Sequence, residues 1–298
     1  MKMKTKDYIM AEKQDIKVMK EGLFVGERAL YATESAEIYN STFRDGESPL
    51  KESRDISLYD CLFQWKYPLW YCKRIKVKGG VISETARSGI WYTEDIEIQD
   101  TVIDAPKTFR RSRGIKLNRV TLANAEETMW NCSDITLKDV TVRGNYFCMN
   151  ASDVYAEGLT VSGNYAFDGA KKVEIRGARL ISKDAFWNCE DVTVYDSLIV
   201  GEYLGWNSKN VKFVNCTIES NQGMCYMDNV TLENCKLINT DLAFEYSSAD
   251  ADVRSHIVSV KNIASGRVVA DSIGEIIMEE NRVDTSKSEI TVRNKNEV

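Results

Sequence analysis

Three carboxylates and a series of tryptophans carry most of the chemistry this chain could do. Asp168 and Asp184, with Glu127 upstream, are the acidic residues best placed to work as a pair. Two carboxyl groups held roughly 5 to 9.5 Å apart are the machinery of glycoside hydrolysis, one acting as acid and the other as base or nucleophile. Trp70, Trp91, Trp130, Trp187 and Trp206 offer flat apolar rings with one N–H donor each, on which sugar rings or bases can stack. Lys51, Arg110 and Arg111 could hold an anionic group, and Glu245 adds an acid further along. The eight cysteines form no C-x-x-C pair and have only His256 to assist them, so neither a metal nor a cofactor is expected. His256 itself stands apart from these residues and reads as a surface or packed histidine.

Whether these residues meet depends on a repeat. Ser-Arg-Asp-Ile-Ser-Leu-Tyr-Asp-Cys from Ser53, Cys-Ser-Asp-Ile-Thr-Leu-Lys-Asp-Val from Cys132 and Cys-Glu-Asp-Val-Thr-Val-Tyr-Asp-Ser from Cys189 are one motif. Its first residue recurs at Thr33, Ser53, Cys72, Thr93, Ser112, Cys132, Ala151, Ala170, Cys189, Ser208, Met227 and Ser247, in steps of nineteen to twenty-one residues. Period-two apolar pairs such as Ile56/Leu58 and Ile135/Leu137 predict a strand buried on one face. A turn residue follows, as at Asp60, Gly79, Asp139 and Asn215. A second short strand then carries its own inward pair, such as Cys61/Phe63 or Cys216/Ile218, which makes the cysteines small core fillers. A third segment closes each coil, as in Glu-Thr-Met-Trp-Asn-Cys from Glu127 and Asp-Ala-Phe-Trp-Asn-Cys from Asp184.

Three short strands per coil predict an all-β, single-stranded, right-handed parallel β-helix of about twelve coils stacked about 4.8 Å apart. The expected organisation is one domain over 1–298, with an N-terminal cap over 1–22, regular coils over 23–247 and irregular closing coils over 248–298. In the third segment Leu50, Leu69, Ile90, Phe109, Met129, Phe167, Phe186, Met224 and Phe244 should face the core. The next residue in each coil should then face outward, lining the tryptophans up as a flat strip with Lys51, Arg110, Asp168 and Glu245 among them. Such a strip is either a ligand groove or a structural aromatic ladder. Asp168 and Asp184 would lie one coil and three residues apart, about 11 Å between backbones.

The repeats, with Gly-Glu-Arg-Ala-Leu-Tyr (26–31), Trp-Lys-Tyr-Pro-Leu-Trp-Tyr-Cys (65–72) and Glu-Tyr-Leu-Gly-Trp-Asn-Ser (202–208), resemble a bacterial family of unknown function with a pectin-lyase-like β-helix. The resemblance implies a fold and carries over no catalytic residue. The Asn-Thr-Asp, Asp-Asp and Gly-His-Gly motifs of polygalacturonases are missing, as is the acidic calcium cluster of pectate lyases. Two functions fit: binding or processing of a carbohydrate along the tryptophan face, by a glycoside hydrolase or polysaccharide lyase-like activity if by an enzyme, and a non-catalytic interaction or self-assembly scaffold. The expected partner is accordingly an oligosaccharide, a glycoconjugate or a second copy of the chain. A net charge of −6 argues against nucleic acid. The N-terminus has no apolar run of signal-peptide length and no later run could span a bilayer, so a cytoplasmic location with no membrane partner is expected.

Overall fold

Apolar residues at alternate positions build the first side of the coil. Each six-residue strand, such as Arg54–Tyr59 or Ser133–Lys138, turns two side chains inward and stacks in parallel register on the next. The computed structural model describes residues 16–293, and in it fifteen strands, ten of them six residues long, run from Lys17–Lys20 to Ser288–Val292 and form one face of a right-handed parallel β-solenoid. Shorter strands, such as Thr141–Arg143, stack into the second face with Phe43, Phe63, Ile82, Ile103 and Leu122 inward. All nine residues expected to face the core from the third side are fully buried.

The corner before the first sheet explains the residue type that opens each repeat. Ser53, Cys72, Thr93, Ser112, Cys189, Ser208 and Ser247 each bond a carbonyl of the coil below through a hydroxyl or thiol. Several also accept a backbone N–H from that coil, so one small side chain satisfies two polar groups at a buried bend. The cysteines are accordingly buried and unpaired, and desolvation pushes the Cys72, Cys132 and Cys225 thiols up to about 12.

Two stretches differ from the expected layout. The cap expected over 1–22 falls outside the described residues as far as residue 15, while Lys17–Lys20 already stacks on Glu34–Tyr39 as a regular rung. Beyond Ser247 the chain continues the stack with its longest strands, Ser248–Lys261 and Ser265–Ile277, which pair at a seventeen-residue offset interrupted by a bulge. The left-handed corner residue that separates the first two faces elsewhere, as at Asp196 and Asn215, is absent within Ser248–Lys261, and one strand runs through the bend there, as Asp228–Ile238 already does despite its left-handed Asn234. Among the described residues no helix is long and apolar enough to cross a membrane.

Candidate functional site

The third side is hydrogen-bonded from coil to coil but is a strand pair only at Ile90–Trp91 and Phe109–Arg110. Elsewhere its backbone visits positive φ at alternate residues, as at Glu127, Met129 and Asn131 or at Asp184, Phe186 and Asn188. The amide of Asn150 reaches the Asp168 carbonyl at 2.8 Å and that of Gly169 reaches the Trp187 carbonyl at 2.7 Å, so the ladder continues despite this geometry. Residues of equal position therefore stack directly above one another, in columns that run along the solenoid.

The tryptophans form two stacks rather than one strip. Trp70 lies on Trp91 with centroids 5.2 Å apart and planes 8° apart. The Arg110 guanidinium is sandwiched between Trp91 and Trp130, 5.0 and 4.5 Å from their centroids, a geometry that attracts a cation to both ring faces. The second stack runs from Trp187 to Trp206 and on to Tyr226. Rings stacked along the solenoid axis cover one another's faces and leave mainly edges to solvent. The indole N–H groups of Trp70, Trp91, Trp130 and Trp187 donate to the carbonyls of Ser88, Lys107, Tyr146 and Tyr203. Within the stacks, then, the aromatic column is a structural ladder, and the flat strip of open faces expected from the sequence is not formed there.

Most of the charged residues singled out by the sequence are engaged. Glu127 lies 3.0 Å from Lys107 and 3.1 Å from Arg110, so two cations hold it. Lys51 sits 3.7 Å from Glu52 and over the Tyr71 ring, and Glu245 pairs with Lys261 at 2.9 Å. Arg111 is exposed in the outer column that begins with the stacked rings of Tyr71 and Tyr92.

Between the stacks the pattern breaks. Met149 and Asp168 occupy the two rungs from Trp130 to Trp187. In the next column Tyr71, Tyr92, Arg111, Asn131, Asn150, Asn188, Asn207 and Tyr226 all carry side chains at positive φ, and Gly169 carries none. Asn207 donates to Asn188 and Asn188 to Asp168, both at 2.8 Å, so the amide ladder ends on the Asp168 carboxylate. From the other side, the Asn150 carboxamide oxygen stands 2.2 Å from where a Cβ at position 169 would lie, pointing into the empty rung. In the tyrosine column Tyr146 and Tyr165 stack at 4.7 Å, and Asp184 takes the next rung below Tyr203.

Asp184 is 8% exposed, and its Oδ1 is buried without a hydrogen-bond partner. Burial raises its pKa above the ordinary carboxylate value; a hydrogen bond from Tyr165 opposes the shift, and the charges of Glu202 and Asp168 reinforce it. Asp168 and Asp184 thus sense each other electrostatically, whereas Glu127 belongs to a separate ion-pair cluster. A separate cleft of about 500 Å³ lies along the second face and the corner before Asp184, lined by Asn164, Lys183, Glu202 and Asn221, with Lys183 held by Glu202 at 3.0 Å. The sequence reading overlooked Gly169, although its place in the Tyr/Arg/Asn column was the available signal.

A family model described as "Protein of unknown function (DUF3737)" matches residues 17–291. No curated protein matches the chain. Among solved structures it is similar to full-length QnrB1, a plasmid-mediated fluoroquinolone resistance protein, at 15% identity over 74% of this chain and 94% of that one, with a TM-score of 0.26. It is also similar to a mutant tailspike protein of E. coli bacteriophage HK620 in complex with pentasaccharide, at 10% identity over 92% of this chain and 70% of that one, with a TM-score of 0.35.

Proposed function

Because the chain belongs to the DUF3737 family, whose description leaves function open, we propose from the third side alone that it binds a carbohydrate at the break between its two aromatic stacks. The observation that carries this reading is the place where the tryptophan column gives way to Asp168 and the neighbouring column loses its side chain at Gly169. At that point Trp130 and Trp187 meet the stacked Tyr146 and Tyr165 edge-on, and the empty Gly169 rung is flanked by Asp168 and the Asn150 carboxamide oxygen, with the nearly buried Asp184 close by. A sugar matches such a place, because its C–H face packs on aromatic carbon while its hydroxyls donate to carboxylate and amide oxygens. Burial, which raises the Asp184 pKa, suits that carboxyl to give up a proton, and Asp168, which accepts a hydrogen bond from Asn188, is the second carboxyl that glycosidic cleavage requires.

The test is an oligosaccharide array probed with the full chain, followed by calorimetric titration and product analysis on any hit. Binding that is lost in Asp168→Asn supports the site, and turnover lost in the same variant assigns catalysis to the pair. Silence across neutral, basic and acidic glycans overturns the reading and leaves the interaction scaffold, which the internally satisfied Trp70–Trp130 stack favours.

A further inference from the structure

The outer face of the first sheet carries another interrupted column. The second residue of each strand lies at positive φ, and the series runs Asp55, Arg74, Asp95, Gly114, Asp134, Asp153, Lys172, Asp191, Asn210 and Asn229. These side chains bond along the axis. Arg74 grips Asp55 through two hydrogen bonds of 2.6 and 2.7 Å, Lys172 lies 3.6 Å from Asp153, and Asn210 and Asn229 donate to the rungs below them at 2.9 Å. Gly114, at φ +66°, is the one rung in this series without a side chain. Its backbone conformation does not require glycine, since nine neighbours adopt the same region with side chains in place.

What glycine provides there is space. A concavity of about 520 Å³ opens around Gly114, and the Asp95 Oδ1 stands 2.6 Å from where a Cβ at 114 would lie. Asp134 bounds the space from the next coil. Acid and base alternate through Asp55, Arg74 and Asp95, and the next base is missing. Arg74 on Asp55 shows within the same column what such a gap accepts. In the adjoining outward column Lys76 and Lys116 line the same concavity and make no ion pair, with Glu97 between them. Setting aside the Asp55–Arg74 pair, the lining carries Asp95, Glu97 and Asp134 against Lys76 and Lys116, and Arg113, bonded to Glu94, also acts on Asp95 and Asp134 from the rim.

We propose that this concavity is a binding site for a small basic amino acid or a close relative. Its guanidinium or ammonium group takes the empty rung between Asp95 and Asp134, and its carboxylate lies against Lys76 and Lys116. Charge-assisted, bidentate contacts of this kind are the strong class of hydrogen bond. The site lies on a different side of the solenoid from the aromatic break and stands or falls independently of the carbohydrate reading.

The experiment is calorimetric titration of the full chain with L-arginine and, separately, with agmatine, which keeps the guanidinium but lacks the carboxylate. Saturable one-to-one binding of arginine is expected, weakened about tenfold or more in Asp134→Asn by loss of one charged contact. Gly114→Lys should abolish binding by supplying the cation from the chain itself, as Lys172 does in the same column. Asp153→Asn, in the column but outside the concavity, should bind as the unaltered chain does, and circular dichroism should show every variant folded. The proposal is overturned by a wild-type dissociation constant weaker than about 10 mM, or by unchanged affinity in Gly114→Lys. Agmatine binding as tightly as arginine would remove the role given to Lys76 and Lys116.

Discussion

Gly169→Asn separates the ladder from the ligand site more cleanly than any tryptophan substitution. The variant restores an asparagine rung between Asn150 and Asn188, at a φ of +70° close to the +53° both neighbours adopt. A Cβ there would lie 2.2 Å from the Asn150 Oδ1, the movable tip of a side chain, and 3.8 Å from the Asn150 Cα, an ordinary contact. Holding a side chain in the left-handed region costs about 1 kcal/mol, less for asparagine. Loss of glycine freedom in the unfolded chain returns about 0.4–1 kcal/mol, and a new amide hydrogen bond adds about 0.5–1.5 kcal/mol. The terms sum to between about zero and about 1.5 kcal/mol of net stabilisation, so Tm should be unchanged or rise by up to about 6 °C. Sugar binding should weaken at least tenfold because the notch is filled. Thermal melting and calorimetric titration with an array hit measure both quantities. Gly163→Asn is the contrast: there a Cβ would meet the Gly144 backbone carbonyl at 1.9 Å, which cannot swing aside, and the variant should be strongly destabilised. Unchanged affinity in Gly169→Asn, or a collapse of stability like that of Gly163→Asn, would refute the reasoning.

Trp187→Ala should cost about 2–3 kcal/mol, roughly half to two thirds of a core tryptophan truncation, because the ring is half-buried between Tyr165 and Trp206 and bonds the Tyr203 carbonyl; a denaturant melt measures it. Asp184→Asn should raise Tm at pH 7. A carboxyl whose folded pKa is raised binds its proton more tightly in the folded state, so wild-type stability falls as pH climbs past the unfolded value, and the variant's advantage should shrink toward pH 4. An equal or lower Tm at pH 7 would count against it. In native protein at pH 8, Cys72, Cys132 and Cys225 should resist iodoacetamide and react only after unfolding, as mass spectrometry of the alkylated chain can show. Phe186→Ala, removing a fully buried ring stacked on Phe167, should cost about 3–5 kcal/mol in the same denaturant assay.

The coil path was legible because each of its signals is local. Ile56/Leu58 alternation marks a strand, Asp60 marks a corner, and the nineteen-residue step alone aligns one coil on the next. Core assignment followed from the same register, down to Phe109 and Met129. What could not be read was how side chains of adjacent coils meet. Trp91, Arg110 and Trp130 were placed in one column, yet nothing in their types fixed ring planes across the axis, and that orientation turns a face for ligands into a ladder. Glu127 looked like a free acid because its two cations lie seventeen and twenty residues away along the chain. Gly169 was visible but silent, since glycine at a left-handed position is read first as a backbone requirement.

A ladder makes that first reading insufficient. Each stacked or hydrogen-bonded rung contributes of order 0.5–1.5 kcal/mol, so a missing rung forgoes stabilisation that the backbone was free to accept. At positions 114 and 169 the same φ is held by side-chain-bearing residues one coil above and one coil below, so φ gives no reason for glycine at either, although a Cβ at 114 would crowd the Asp95 backbone at 3.2 Å. At both, the neighbouring oxygen leans into the gap: the Asp95 carboxylate at one and the Asn150 carboxamide at the other. The same lean occurs at Gly79 toward Asp60 and at Gly158 toward Asp139, so a leaning oxygen supports a ligand only together with the chemistry that flanks the gap. The chemistry differs because the flanks differ. Carboxylates beside lysines underlie the proposed basic amino acid, and aromatic rings beside an amide and two carboxyls underlie the proposed sugar.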